Sequence, residues 1–246
     1  MSCQHEHVGV TETRAIYEES RRPVTAEVVL FTAEGRAAPR LQALLAKRAA
    51  SPFDGRWELP GGPVLRSEGL AGAAAHRLAE STGIRDVFLR QVVAVGTPGR
   101  DPRADAVSVL HVGLVRMGVE RVPVSPDARV LQWFDVDTRL PPLAFDHSAL
   151  LEDARESLRA RLGESTDVFD LLPAEFTLGD LQALCESILA RGLDRRNFRR
   201  KVLGLGILSK GKGMRQDGPH RPAQLFRFDA KGFARWSKRS RALPFR

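Results

Sequence analysis

The segment LPGGPVLRSEGLAGAAAHRLAESTGI, residues 59–84, determines the fold of the first part of this chain. Its opening prolines and glycines predict a loop. After that loop, Leu70, Ala74 and Leu78 recur at the spacing of one helical face. Gly83 is suited to end the helix, because glycine adopts the left-handed conformation of a helix C-terminus without strain. The segment therefore predicts a loop followed by a helix.

The spacing of Gly62, Glu68 and Gly83 resembles the sequence box of the Nudix family. In that pattern, five residues separate a Gly from a Glu, and seven more residues follow the Glu. The pattern then ends in Arg-Glu, an aliphatic residue, any residue, Glu-Glu, any residue, Gly and an aliphatic residue. The approach to the box, PFDGRWELPGG at residues 52–62, is also typical of Nudix proteins. The resemblance implies an α/β/α Nudix sandwich, and the alternative is a loop and helix of an unrelated α/β domain.

The carboxylate positions of the Nudix helix are largely changed in this chain. In the family, three carboxylates on one helix face hold a divalent metal against a pyrophosphate. Here those positions carry Arg77, Glu80 and Ser81, and His76 replaces the usual arginine. A guanidinium beside a divalent ion costs on the order of several kcal/mol at an effective dielectric constant of about 20. We therefore predict no catalytic residue, no metal site and no Mg²⁺ cofactor.

The flanking sequence fits an α/β domain and then changes character. Strands are predicted at residues 25–32, 41–47, 87–95, 106–116 and 131–136. A helix at residues 149–162 follows, and Asp146 or Ser148 is placed to cap it. The predicted organisation is a flexible tail at residues 1–22, a Nudix-like effector domain at 23–163 and a DNA-binding domain at 164–246.

Composition describes an ordinary globular protein with an uneven charge distribution. Hydrophobic residues make up 43% of the 246 residues and charged residues 28%. Residues 166–246 hold 17 Lys and Arg against 8 Asp and Glu, a net of +9, whereas residues 1–165 carry a net of −1. The basic last third suggests a polyanion partner. The chain lacks a long apolar run and a signal peptide, and Cys3 and Cys185 cannot form a disulfide framework. We expect a cytoplasmic protein with no membrane partner.

A helix-turn-helix is predicted in the basic third. Thr177 and Asp180 form a variant of the capping box, and Phe176 with Leu181 forms a hydrophobic staple. The first helix is expected to stop at Gly192. A second helix, RRNFRRKVLGLG at residues 195–206, then starts behind the capping residue Asp194, with Phe198, Val202 and Leu205 on its apolar face.

A basic wing is predicted after the second helix. The Gly-rich stretch SKGKGMRQDGPHRPA, residues 209–223, is expected to be a loop, and QLFRF a strand, so that together they form a hairpin. A last helix carries Phe233 and Trp236. The predicted DNA-binding residues are Arg195, Arg196, Asn197, Arg199, Arg200 and Lys201 on the helix and Lys210, Lys212 and Arg215 in the wing. A solvated basic face is the alternative for each of them.

The combination of the two units resembles one family of regulators. A degenerate Nudix box, the PLAFDH segment at residues 142–147, NFRRKV at 197–202 and RPAQLFRF at 221–228 are similar to the NrtR family of Nudix-related transcriptional regulators. The resemblance implies a homodimeric bacterial repressor of NAD synthesis or salvage genes that binds a palindromic operator and senses ADP-ribose or a related NAD derivative. Members of the family are also associated with sugar catabolism genes.

The predicted effector-binding residues are Arg48, Trp57, Glu58, Arg77 and Glu80. Arg48 and Arg77 can pair with phosphate oxygens, and Trp57 can stack on a base or ribose. The alternatives are a surface arginine for Arg48, a salt bridge for Arg77 and a core residue for Trp57. Two other functions stay open: a regulator of sugar catabolism genes, and a Nudix ADP-ribose hydrolase with a DNA-binding appendage.

Overall fold

The computed structural model describes residues 21–35, 38–116, 130–216 and 222–238. The predicted flexible tail, residues 1–22, lies almost entirely outside these ranges, as do Cys3 and the centre of the predicted wing loop. Cys185 is buried in the described part of the chain. No helix within the described residues is both long and apolar enough to cross a bilayer.

The first unit is a seven-stranded mixed sheet with two helices. Its strands are Val24–Glu34 (β1), Arg40–Lys47 (β2), Trp57–Glu58 (β3), Gly61–Pro63 (β4), Leu89–Val95 (β5), Val107–Leu114 (β6) and Leu131–Asp135 (β7). The helices are Leu70–Thr82 (α1) and His147–Leu162 (α2). The main path through the sheet runs β3-β2-β1-β6-β5, while β4 pairs with β1 and β7 with β2. All five predicted strands are present, with ends shifted by no more than two residues.

The central strand β1 is buried on both faces, which explains its nearly continuous apolar sequence. Because successive side chains point to opposite faces, Val28 and Leu30 pack toward α1. Val29 and Phe31 pack toward α2 and the second unit. Helices thus cover both sides of the sheet, and the predicted α/β/α sandwich is confirmed.

The two helix ends differ in how well they were predicted. Helix α1 ends at Gly83, whose φ of 75° is left-handed, as expected. Asp146 occupies the N-cap of α2 but makes no side-chain capping bond. Its carboxylate instead accepts two hydrogen bonds from Arg100, at 2.9 and 2.7 Å. The capping role predicted for Asp146 is therefore wrong, because a distant cation occupies both of its oxygens.

The second unit is a winged helix. Its elements are Asp167–Leu171 (α3), Phe176–Thr177 (β8), Leu178–Leu189 (α4), Arg195–Gly204 (α5), Leu208–Arg215 (β9), Ala223–Phe228 (β10) and Ala230–Ser237 (α6). The strands form a three-stranded sheet in the order β8-β10-β9. The capping box of α4 is present in both directions, from Thr177 N–H to Asp180 at 2.7 Å and from Asp180 N–H to Thr177 at 3.1 Å. Asp194 caps α5 as predicted.

Two details of the winged helix were predicted wrongly. Helix α4 ends at Leu189, followed by Ala190 with a φ of 52°, so Gly192 is not its stop. The basic glycine-rich stretch is not a loop in its first half, because residues 208–215 form strand β9 paired with β10. Glycine is tolerated there because its backbone still completes the ladder with β10.

The winged helix packs directly on the Nudix sheet. One hydrophobic core contains Leu41 and Phe31 of the sheet together with Leu181 and Leu184 of α4. Polar contacts add to it: Leu41 N–H donates to the Ser187 hydroxyl at 3.0 Å, which donates to Asp137 at 2.8 Å. Helix α4 therefore packs at the start of β2, on the face of the sheet that α2 also covers.

Candidate functional sites

A cavity of about 1080 Å³ opens between β1, β4 and the C-terminal half of α1. Its wall contains both positively and negatively charged side chains. The cationic lining residues are Arg48, Arg77, Arg85, Arg100 and Arg103, and the acidic ones are Glu27, Glu58, Glu80 and Asp101. Five guanidinium groups around one concave space form a site for an anion with several oxygens, because each guanidinium presents a fork of N–H donors.

Two glycines of the box form one wall of the cavity. A Cβ atom on Gly61 would lie 2.6 Å from the Ala26 carbonyl oxygen, and one on Gly62 would lie 3.0 Å from the side chain of Arg77. A side chain at Gly61 would therefore separate β4 from β1. The two glycines therefore allow the LPGG strip, residues 59–62, to approach the sheet closely, and the Arg77 side chain packs against Gly62 of this strip.

Arg77 is held by three contacts at the position of a family carboxylate. Its Nε donates to the Pro63 carbonyl at 3.0 Å, and its terminal nitrogens lie 2.5 Å from Glu80 and 3.4 Å from Glu68. The hydrogen bond with Glu80 raises the pKa of Arg77. The Ser81 hydroxyl donates to the Arg77 carbonyl at 2.7 Å. Within the described residues, no group of three or more His, Cys, Asp or Glu is placed to hold a metal ion.

Glu68 belongs to the same cluster. It accepts a hydrogen bond from Leu65 N–H at 3.0 Å and lies 2.7 Å from a ring nitrogen of His76. The contact with His76 lowers the pKa of Glu68. The Nudix-pattern glutamate therefore fixes the loop before α1 to the helix.

Arg48 is a wall residue of the cavity and not an ordinary surface arginine. Only 10% of its side chain is exposed, and it forms an ion pair with Glu58 of β3. Its Nε donates to the Pro52 carbonyl at 2.9 Å. The guanidinium lies 4.8 Å from the ring centre of Phe145. Both predicted residues Arg48 and Glu58 thus reach the cavity.

Trp57 is the predicted effector residue that the fold does not bring to the cavity. Its ring packs edge-on against Phe134, with centroids 4.8 Å apart. It is partly buried against the hydrophobic core. Strand alternation explains this placement, since Trp57 and Glu58 are neighbours in β3 and point to opposite faces. The geometry favours the core alternative for Trp57.

The loop at residues 97–104 contributes cavity residues that sequence reasoning missed. Arg100 is 4% exposed and pairs with Asp146 through two nitrogens, while Arg103 pairs with Asp101 at 2.7 Å. The Phe145 ring lies between Arg48 at 4.8 Å and Arg103 at 5.1 Å. The signals available were two arginines in a Gly/Pro/Asp-rich loop and the PLAFDH motif.

His147 forms a hydrogen bond with the LPGG strip at the start of the Nudix-like segment. Its Nδ1 accepts a hydrogen bond from Leu59 N–H at 2.9 Å. Burial lowers the pKa of His147 to about 4, so the ring is neutral at pH 7. A neutral ring accepts this bond, and the first residue of α2 is thereby tied to the LPGG strip.

Glu27 is a buried carboxyl group in the cavity wall. It accepts hydrogen bonds from the hydroxyls of Thr25, at 3.0 Å, and Ser108. Burial raises the pKa of Glu27 to about 7, although both hydroxyl bonds oppose the shift. A single charged residue in an apolar strand belongs to no motif, so the sequence did not reveal this role.

Helix α5 presents a basic outer face. Phe198 and Val202 are buried, whereas the exposed residues include Arg195, Arg196, Arg199, Arg200 and Lys201. Asn197 is half-buried and accepts a hydrogen bond from Arg200 at 2.9 Å. Positive charge concentrated on the exposed surface of one helix attracts a polyanion. The predicted helical DNA-binding residues therefore lie together on one element.

The wing residues divide into two kinds. Lys210 and Lys212 are exposed on β9. Arg215 is 20% exposed and forms an ion pair at 2.6 Å with Asp180, the buried carboxylate of the α4 capping box. Arg215 thus ties the wing to α4, and its DNA contact stays a prediction.

The fold and the two sites define a protein in which a Nudix domain with an arginine-rich cavity is joined to a basic winged helix. Two family models match the chain: the NUDIX domain over residues 21–154 and the NrtR DNA-binding winged helix domain over residues 168–228. The domain boundaries predicted above stay a prediction.

Relatives and solved structures agree with both matches. The chain is 34% identical, over 87% of its length and 86% of the relative's, to the ADPR responsive transcriptional repressor NtrR of Acinetobacter baylyi. NrtR of Shewanella oneidensis in complex with a 27mer DNA is similar with a TM-score of 0.70 and 30% identity, over 86% of this chain and 95% of that one. The NUDIX domain of that protein in complex with ADP ribose matches with a TM-score of 0.50 and 32% identity, over 58% and 97% of the two chains. The chain belongs to the NrtR family.

Proposed function

We propose that this protein is a transcriptional repressor of NAD synthesis or salvage genes that responds to ADP-ribose or a related NAD derivative. The observation that carries the proposal is the pairing, on one chain, of a cavity lined by five arginines with a winged helix whose second helix is basic on its outer face. The response to ADPR of the Acinetobacter relative supports the choice of effector.

In the cavity, arginines bind the pyrophosphate of the effector. Arg48, Arg77, Arg100 and Arg103 each already face a carboxylate. Phosphate oxygens compete with those carboxylates for the same N–H donors, because both are anionic oxygen acceptors that a guanidinium can bind through two parallel hydrogen bonds. The Phe145 ring, with Arg48 and Arg103 over it, helps to hold these two arginines in the cavity wall through cation–π contacts. Glu27, Glu58 and Glu80 are acceptors for ribose hydroxyls.

Metal-dependent hydrolysis does not fit these residues. The Mg²⁺ that the Nudix family implies requires carboxylate oxygens. Here Glu80 is engaged by Arg77 at 2.5 Å and Ser81 has no carboxylate. We therefore propose an effector domain that binds its ligand without cleaving it and needs no cofactor. Mg²⁺-dependent turnover of ADP-ribose by the purified protein would instead establish the hydrolase alternative.

On the DNA side, α5 enters the major groove and the wing contacts phosphates. The chain acts as a homodimer in the cytoplasm on a palindromic operator, with half-sites one or two helical turns apart. ADP-ribose and operator favour different arrangements of the two units. Affinity ratios of roughly 5- to 150-fold are typical of such coupling.

A gel-shift titration against DNA upstream of NAD-synthesis genes, with and without ADP-ribose, tests the proposal. We expect a specific shift that ADP-ribose changes and that weakens steeply with salt. A shift specific for sugar-catabolism promoters would favour the sugar-regulator alternative. A shift indifferent to sequence and to nucleotide would contradict the proposed effector and target genes.

A further inference from the structure

One apolar side chain lies in the outward row of α5. Leu203 is 48% exposed, in a helix whose buried residues are Phe198 and Val202. At about 100° per residue, Arg196, Arg200 and Leu203 point within about 40° of the direction opposite Phe198. Leu203 therefore continues the row formed by the two exposed arginines.

The chemistry of this row is uneven. The guanidinium groups of Arg196 and Arg200 match phosphates and guanine edges, both of which offer oxygen or nitrogen acceptors. Leu203 has no hydrogen-bonding group and gains nothing from either. A lone exposed leucine is common on protein surfaces, but this one adjoins two residues of a proposed DNA-contacting face. In the major groove, the apolar group available to it is the C5-methyl of thymine.

We propose that Leu203 contacts the C5-methyl group of one thymine in each operator half-site and thereby contributes to sequence choice. This inference rests on the proposed function of α5. Arg196 and Arg200 set the position of the helix, and Leu203, one turn further, distinguishes thymine from a base without that methyl group. Release of water from between the Leu203 side chain and the thymine methyl group favours thymine over a base without that methyl group.

The experiment uses the full chain and an operator selected from randomised duplex DNA. Each thymine of that operator is then replaced by uracil, which removes only the C5-methyl. For the wild-type protein we expect about fourfold weaker binding per half-site at one position, the effect of losing one buried methyl group. The thymine-to-uracil affinity ratio at that position should fall to about one in Leu203→Ala and be retained in Leu203→Met.

Lys201→Ala is the matched control, because Lys201 is exposed on the same helix but charged. It should weaken binding to thymine and uracil operators equally. A second control, Met214→Ala, removes an exposed apolar side chain from the wing and should leave the ratio at this position unchanged.

Two outcomes would overturn the inference. One is a wild-type ratio retained by Leu203→Ala at every thymine, or no thymine whose methyl group matters to the wild-type protein. The other is a change in the oligomeric state of Leu203→Ala by light scattering, which would assign Leu203 to a subunit contact. Failure to select any operator would contradict the proposed function itself.

Discussion

Arg77 places a fixed positive charge at a position where the Nudix pattern has a carboxylate. Its side chain is only 11% exposed and bridges Glu80, Glu68 and the Pro63 carbonyl. One residue thus places a guanidinium, paired with two carboxylates, at a position where the family pattern has a ligand for a hard cation. The backbone frame is kept, since the glycine strip and α1 remain as the family pattern predicts.

The substitutions Arg77→Glu and Ser81→Glu, made together, should create a metal site. With Glu80 they place three carboxylates on one face of α1. We expect tighter Mg²⁺ binding by calorimetry than in the wild-type protein. Arg77→Ala with Ser81→Ala loses the same native contacts without adding carboxylates, so equal Mg²⁺ affinity in the two double variants would refute this geometry.

Glu27 should make the protein less stable as the pH rises. Burial raises the pKa of Glu27 to about 7 in the folded state, well above the value of about 4.3 for an unfolded glutamate. The favourable contribution of the protonated form is fully present below the unfolded pKa and is lost as the pH rises through about 7. The loss has an upper bound of about 4 kcal/mol.

Urea unfolding of the wild-type protein and Glu27→Gln at pH 5 and pH 8 measures this effect. Glutamine cannot ionise, so the variant should become more stable relative to wild type at the higher pH. The titration of His147 is present in both proteins and cancels in the difference. A pH-independent difference would show that Glu27 keeps an ordinary pKa.

At the scale of elements, α5 and the wing have separate supports. Helix α5 is anchored by Phe198 and Val202 and capped by Asp194. The wing is anchored through Arg215 to Asp180 at the start of α4. The exposed basic residues therefore lie on α5, which is anchored in the core, and on the wing, which is anchored to α4.

Arg196→Ala combined with Arg200→Ala should abolish specific operator binding, with a loss on the order of a hundredfold or more. Both side chains are exposed, so folding is expected to be preserved. Gel shifts measure the DNA affinity and calorimetry the ADP-ribose affinity, which should be unchanged. Retained operator affinity would contradict the role of α5.

Arg215→Ala and Lys212→Ala should separate structural support from DNA contact. The first leaves Asp180, which is 4% exposed, without its cation, at a cost of about 2 kcal/mol in unfolding free energy. The second removes an exposed charge on β9 and should leave stability unchanged, while the slope of log affinity against log salt falls by about one. The reverse pattern would place Arg215 on the DNA instead.

At the scale of the whole molecule, two elements connect the cavity to α4. Strand β2 runs from Arg40, beside the winged helix, to Lys47, next to Arg48 in the cavity wall. Helix α2 begins with His147 at the cavity, and its Arg159 donates to the Ile188 carbonyl of α4 at 2.9 Å. We therefore expect a shift of either cavity end to be transmitted to the first helix of the helix-turn-helix, because helices and paired strands tend to move as rigid bodies.

Ser187→Ala should weaken the coupling between effector and operator. The Ser187 hydroxyl joins Leu41 N–H and Asp137, so its loss loosens the contact between β2 and α4. We expect ADP-ribose to change operator affinity by a smaller factor than in wild type, while each ligand alone binds normally. Ser237→Ala is the control, because that hydroxyl donates to the Ala234 carbonyl within its own helix, away from the contact between β2 and α4. Equal coupling in both variants would exclude this contact as a path.

The sequence by itself determined the features that depend on near neighbours. The glycine spacing of the box, the helical stripe of α1, the reciprocal cap of Thr177 and Asp180 and the basic face of α5 all involve residues within a few positions of one another. Such contacts form once the local backbone adopts its helix or turn, because the residues are then neighbours in space. Two domains, their order and the family could be predicted from these patterns.

Only the tertiary structure decided which charges meet. Arg100 and Asp146 are 46 positions apart, and Glu27 and Ser108 are 81 positions apart. Their pairing depends on how loops cross and on the parallel register of β1 with β6, which no short-range pattern encodes. For the same reason, the alternation of β3 turned Trp57 to the core and Glu58 to the cavity. The local sequence therefore determined the helices and strands. The packing of those helices and strands determined which charged side chains pair, because burial and charge depend on neighbours distant in the chain.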